Sequence, residues 1–310
     1  MEIQRVALIG AGAIGAYFIE GLTDCMGADF AIIAEGERKE RLQQQGVQIN
    51  GRIYKDHIQT PEEFGTADLV LVCVKYQGLF GVLPAIQKLT GRDTIVMVPM
   101  NGIDSEEIVG EAVGEEHLVY SLMRINSARK GNVIEFDHKY TGGLYFGEKD
   151  CHEKTERILA IEKRFEGTSV RTNFMEDIIS DMWTKFCLNI AYNLPQAVVG
   201  VGYGAYFDSV HVGYLCRTLE QEVRAVADKK GIYVRPLENR KGTCPDTTRF
   251  STLQDLDAGR HTEIDMFIGV LMDKAQEVGV SVPCAETVYH VIRALEEKND
   301  GKFDYENTKS

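Results

Sequence analysis

Short runs of consecutive apolar residues, each stopped by glycine or a polar residue, alternate with amphipathic stretches over the first half of the chain. Residues 4–9 form such a run. They are too few for a helix and apolar on successive positions, so they predict a strand buried on both faces. A glycine-rich hexapeptide follows at 10–15 and opens an apolar helix reaching about Thr23. Residues 29–34, 68–74 and 94–99 repeat the strand pattern, and 38–45 and 81–89 fit helices between them. Strands alternating with helices imply right-handed crossovers and a parallel sheet covered on both faces. Looser strand candidates lie at 118–123, 133–136 and 144–146, with glycines at 142, 143 and 147 marking turns. After about Asn173 the period becomes helical, most clearly at 182–192, 210–229 and 262–278. The pattern predicts two domains, 1–174 and 175–310: an α/β, doubly wound parallel sheet followed by an all-helical domain. The polar tail at 298–310 is expected to fray.

A chain of 310 residues suits two cores at roughly 150 residues per domain. Its 44% hydrophobic and 26% charged residues are ordinary for a globular protein. No apolar run approaches the roughly 20 residues of a membrane span. The opening residues run straight into the first strand and leave no room for a signal peptide, so a cytoplasmic protein with no membrane partner is expected. The net charge of -13 and the lack of a basic cluster argue against nucleic acid. An anionic substrate must therefore be met by a few local cations or amides. The seven cysteines contain no Cys-x-x-Cys, and the seven histidines show no ligand spacing, so neither a disulfide framework nor a metal is expected. A homodimer is left open.

The hexapeptide is Gly10-Ala11-Gly12-Ala13-Ile14-Gly15, a Gly-x-Gly-x-x-Gly lying between a predicted strand and a predicted helix. In that context Gly10 permits a tight turn, Gly12 lets backbone approach a pyrophosphate, and Gly15 lets the helix pack on the strand. The helix N-terminus then offers amides and positive charge to phosphates. Glu35 ends the second predicted strand, 35 − 15 = 20 residues past the last glycine. An acid there accepts hydrogen bonds from the adenosine ribose and repels a 2′-phosphate, which favours NAD. Arg38, Lys39 and Arg41 follow and can instead embrace that phosphate, so both NAD(H) and NADP(H) stay open.

Ligands of open α/β sheets lie beyond the carboxyl ends of the strands. Lys75 and Asn101 occupy two such ends; each is either a cofactor-side residue or a simple turn cap. In the helical half, Lys185, Asn189 and Asn193 are spaced i, i+4, i+8 and are expected on one face, amid apolar neighbours that include Trp183. Asparagines are poor helix formers, and an ordinary solvated face would carry Glu–Lys pairs instead. A polar cleft wall is the alternative. Ser251 and Asp255 are expected to share another face. Thr262 resembles an N-cap for a helix bearing Glu263, a first-turn acid when taken alone.

Taken in order, the glycine loop, Asn101-Gly102, Trp183-x-Lys185-x3-Asn189-x3-Asn193, Ser251-x3-Asp255 and His261-Thr262-Glu263-Ile264-Asp265 resemble the ketopantoate reductases (2-dehydropantoate 2-reductases). The likeness runs from residue 6 to about 283. It implies an N-terminal Rossmann domain, a helical C-terminal domain and an active site in the cleft between them. It also implies that Lys185 is the general acid, that Glu263 holds the lysine and the reacting hydroxyl, and that Asn101 sits near the nicotinamide. Asn189, Asn193 and Ser251 would bind the substrate, with Asp255 organising that wall. Such an enzyme reduces 2-dehydropantoate to (R)-pantoate for pantothenate synthesis, with NADP(H) as the family's usual cofactor. Two positions depart from the pattern: Glu35, where NADP-using members often place arginine, and Thr248, where several relatives carry asparagine. An NAD-dependent D-2-hydroxyacid dehydrogenase of the same family is the near rival, and a dinucleotide-sensing regulator without chemistry is the distant one.

Overall fold

A computed structural model describes residues 1–125, 127–237, 241–242, 244–303 and 305. Residues 304 and 306–310 of the tail expected to fray lie outside these. Its strands are β1 (Val6–Ile9), β2 (Phe30–Ile33), β3 (Val47–Ile49), β4 (Arg52–Tyr54), β5 (Ile58–Gln59) and β6 (Ala67–Val72), then β7 (Thr90–Met97), β8 (Tyr120–Arg124), β9 (Ser127–Lys130), β10 (Val133–Phe136), β11 (Gly143–Gly147) and β12 (Thr172–Phe174). Contacts divide the chain into two units, Met1–Ile179 and Ser180–Ser310, a few residues past the expected boundary.

In the first unit β1 lies at the centre of a parallel sheet ordered β5-β2-β1-β6-β7. The chain winds outward from β1 to β2 and β5, then crosses back to β6 and β7. The carboxyl ends of β1 and β6 therefore flank the switch point where doubly wound sheets bind ligands. An isolated parallel bridge, Val96 to Leu118, leads toward the smaller sheet β12-β11-β8. All four residues of β1 are buried, as a central strand of a covered sheet requires. The helix Ala13–Met26 covers it with Tyr17, Phe18, Ile19 and Leu22, all fully buried. The aliphatic pair Ile19 and Leu22 contributes about 1.5–3 kcal/mol each.

The hairpin β3–β4 was not anticipated. Its two-residue turn is Asn50-Gly51, with φ of 46° and 86°. Both central residues in the left-handed region make the turn that matches strand twist, and Asn-Gly is its usual sequence.

Among its described residues the second unit contains helices and no strands. The predicted helix Val210–Lys229 forms with those bounds. The other two long predictions are corrected. The helix Ile178–Leu188 passes into a π-helical turn, Asn189–Asn193, before Leu194–Val199. The expected helix from Thr262 instead begins with a π turn, Asp265–Gly269, and continues as Val270–Val278. No helix of the described residues is long and apolar enough to cross a membrane.

Candidate functional site

The glycine loop is built by mutual exclusion. Gly10 has φ +105°, and a Cβ on it would lie 2.4 Å from the Cys73 carbonyl oxygen just beyond β6. A Cβ on Gly15 would lie 1.9 Å from the Gly10 oxygen. Either side chain would force apart the three segments that meet here. Gly12 differs. Its φ of −89° suits any residue, and the nearest atom to a Cβ, the Cys73 oxygen, is 4.0 Å away. The space in front of Gly12 is open, and the helix behind it has no side-chain cap and no acid in its first turn. Ala11 and Ile14 pack on the core, and Ala13 starts the helix. This cradle fits a dinucleotide pyrophosphate, whose charge is met by helix amides at close backbone approach. The neighbouring Cys73 thiol is pushed far up by burial, so it is a spacer with no thiolate character.

Glu35 ends the β2 segment and stands at the N-cap of the helix Gly36–Gln45 without capping it. Its side chain is half-exposed, and the Lys88 ammonium lies 3.9 Å away while also pairing with Glu62. Of the three basic residues that follow, Lys39 is committed to Glu63 through bonds of 2.5 and 2.6 Å. The end of β2 thus presents a carboxylate beside Lys88, an ammonium shared with a second acid.

Lys75 is exposed and precedes the short turn Tyr76–Gly78 without a side-chain cap bond. Asn101 is half-buried in the bend after β7, with Gly102 at φ +100° behind it. A link that the sequence did not suggest joins these two strand-end loops. The Tyr76 hydroxyl donates to Asp104 Oδ2 at 2.5 Å, and Asp104, at the N-cap of the helix Ser105–Val113, makes no cap bond of its own.

In the second unit two π turns pack against each other, and the predicted polar residues lie on them or close to them in the chain. Lys185 lies four residues ahead of Asn189, the first residue of one, and Glu263 lies two ahead of Asp265, which opens the other. Phe186, on the helix that leads into the first turn, meets Phe267 of the second with ring centroids 6.4 Å apart, and buried Trp183 meets Phe186 edge-on at 5.9 Å. Bonding i→i+5 widens the turn between Asn189 and Asn193, while Lys185 sits on the α-helix that precedes it. Lys185 and Asn189 are half-buried and Asn193 is buried; the Asn193 amide donates to Asn189 Oδ1 at 3.4 Å. π turns recur at functional sites because they re-aim side chains.

The helix Ser251–Asp257 packs on the same π turn. Ser251 and Asp255 differ more than a shared face implies: Ser251 is exposed, whereas Asp255 is buried and accepts from Arg260 Nε at 2.7 Å. Ahead of Ser251, fully buried Gln196 donates to the Thr248 carbonyl at 2.9 Å and accepts from the Phe250 amide at 2.5 Å. Thr262 is fully buried, and its hydroxyl accepts from the Ile264 amide at 3.2 Å, a local turn bond ahead of the helix proper. Among the described residues no cluster of three or more His, Cys, Asp or Glu is arranged to hold a metal.

Residues 6–150 match the family described as ketopantoate reductase PanE/ApbA, and residues 177–296 match its C-terminal domain. A 2-dehydropantoate 2-reductase of Archaeoglobus fulgidus is 26% identical over 305 residues, covering 96% of this chain and 99% of its own. The fold matches the PanE/ApbA family ketopantoate reductase of Ralstonia eutropha JMP134 with a TM-score of 0.77 at 21% identity, over 96% and 99% of the two chains. It also matches a D-mandelate dehydrogenase solved with NADH and anilino(oxo)acetate, with a TM-score of 0.78 at 21% identity and the same coverage. The chain belongs to the ketopantoate reductase family, oxidoreductases acting on CH–OH groups.

Proposed function

We propose that this chain reduces 2-dehydropantoate to (R)-pantoate, with Lys185 as the proton donor and NADH as the preferred reductant. The observation that supports the reading is that the two π turns pack against each other, one holding Asn189 and Asn193 and following Lys185, the other following Glu263. The chemistry that a reduced nicotinamide would supply when bound is a hydride for C2 of the keto acid. Charge then develops on the former carbonyl oxygen, and Lys185 Nζ gives it a proton. Glu263 steadies the lysine and the nascent hydroxyl. Asn189, Asn193 and Ser251 bind the polar groups of the acid, and Asp255, itself held by Arg260, keeps that wall in place. On the first unit, Gly10 to Gly15 would hold the pyrophosphate, with Lys75 and Asn101 serving the nicotinamide side.

The cofactor choice follows from Glu35. A 2′-phosphate carries about −1.5 to −2 at neutral pH and would meet a carboxylate whose neighbour Lys88 already serves Glu62. The ribose hydroxyls of NADH suit that carboxylate better. The same feature keeps a D-2-hydroxyacid dehydrogenase in view, since one neighbour of that chemistry was solved with NADH.

The test is a steady-state panel of 2-dehydropantoate, 2-ketoisovalerate and benzoylformate with NADH and NADPH. The proposal expects kcat/KM to be highest for 2-dehydropantoate with NADH. A faster reaction with benzoylformate or 2-ketoisovalerate would assign the chain to the D-2-hydroxyacid dehydrogenases, and cofactor binding without turnover of any acid would make it a sensor.

A further inference from the structure

We infer that one face of the C-terminal helix Pro283–Asn299 is a brace for Glu263, with Glu296 as its principal positioning residue. The inference rests on the role assigned to Glu263 above. Glu296 is only 2% exposed, and a carboxyl so placed must find donors. It finds them on the residue just before Glu263: the Thr262 amide and the Thr262 hydroxyl both donate to Glu296 Oε1, each at 2.7 Å. Arg293 Nη1 donates to Oε2 at 2.9 Å, and the His261 ring lies 3.9 Å from the same oxygen. The Thr262 hydroxyl in turn accepts from the Ile264 amide, so the backbone is tied on both sides of residue 263.

The helix makes a second hold two residues further on. The Tyr289 hydroxyl donates to Asp265 Oδ1 at 2.8 Å, and Arg293 lies 3.8 Å from Asp265 Oδ2. Tyr289, Arg293 and Glu296 follow at i, i+4 and i+7, which is one helical face. Asp265 is the first residue of the π turn, so the same face fixes both the approach to residue 263 and the unusual turn that leaves it. Charge-assisted bonds are shorter and stronger than neutral ones, and two of them on one threonine set its backbone orientation. Glu263 is thereby aimed through its neighbours without contact from the brace itself being required.

The experiment compares Thr262→Val, Thr262→Ser and Tyr289→Phe, each alone and with Glu263→Gln, well below their melting temperatures. Thr262→Val keeps the side-chain shape and removes the hydroxyl; Thr262→Ser keeps the hydroxyl. A displacement of about 1 Å at a reacting group costs on the order of a hundredfold in rate. Thr262→Val is therefore expected to lower kcat tenfold to hundredfold with the dissociation constant for NADH unchanged, and Thr262→Ser to restore kcat to near wild type. Tyr289→Phe, which loses one half-exposed hydroxyl bond, is expected to lower kcat several-fold. In the Glu263→Gln background Thr262→Val should add little, because the group it positions is already gone. Thr262→Val with full kcat and only a lower melting temperature would reduce the brace to a structural role, as would a fully additive loss. Should Thr262→Val fail to fold, unchanged kcat in Tyr289→Phe overturns the brace. If Glu263→Gln alone leaves kcat intact, the fault lies with the role given to Glu263; if it is impaired and the brace variants are not, only the brace fails.

Discussion

Glu106, in the first turn of the helix Ser105–Val113, is 1% exposed, and its Oε1 accepts no hydrogen bond among the described residues. Its own amide and that of Ser121 favour the ionised form, but burial outweighs them, and Asp104 and Glu107 add repulsion. The carboxyl is pushed from its ordinary 4.5 up to about 8. A folded-state value above the unfolded one means that the native protein holds the proton more tightly. The resulting stability is fully present below pH 4.5 and is lost as pH rises through about 8. At about 1.4 kcal/mol per pH unit, an interval of about 3.5 units corresponds to a loss on the order of 5 kcal/mol. Glu106→Gln keeps the shape and stays neutral, so urea unfolding across this range should be flatter for the variant than for wild type, the two diverging toward pH 8. The thiols of Cys187 and Cys216, pushed up to about 12 by burial, start from an ordinary 9, so their losses begin only above that pH. Parallel wild-type and variant curves between pH 5 and 8 would refute the assignment to Glu106.

The glycines of the loop should separate fold from binding. Gly15→Ala drives a Cβ into the Gly10 carbonyl and is expected to cost about 1–3 kcal/mol or more, read as a lower melting temperature together with lost NADH binding. Gly12→Ala meets open space and should fold normally, yet weaken NADH severalfold in a fluorescence titration; unchanged affinity would remove the pyrophosphate from this loop. Glu35→Gln should lower kcat/KM for NADH about tenfold or more, the worth of a charged hydrogen bond, and raise it for NADPH. A wild-type preference for NADPH would contradict the role given to Glu35.

Legibility in the sequence followed the range of the interaction. The buried strands and the Gly10–Gly15 loop are local patterns, and their apolar runs and glycine spacing were sufficient. The Asn50-Gly51 hairpin was equally local and carried its usual turn signal, but its strands are only three residues long and show little alternation. The two π turns were hidden because a 3.6-residue period fits their apolar residues and says nothing of an inserted one. Lys185, Asn189 and Glu263 could be nominated from the sequence; the route by which Glu296, Gln196 and Asp104 hold their surroundings could not. Each of those reaches a partner 28 to 52 residues away, and nothing in the spacing of such residues distinguishes an anchor from a solvated side chain.

The central claim is that the amine of Lys185 protonates the oxygen left by hydride delivery. It is tested most directly by following NADH oxidation by 2-dehydropantoate with wild type and Lys185→Ala while NADH affinity is measured separately on each. The account predicts a fall in kcat of at least a hundredfold, in line with the usual worth of a general acid, with NADH affinity nearly intact. Turnover by Lys185→Ala at the wild-type rate would contradict it.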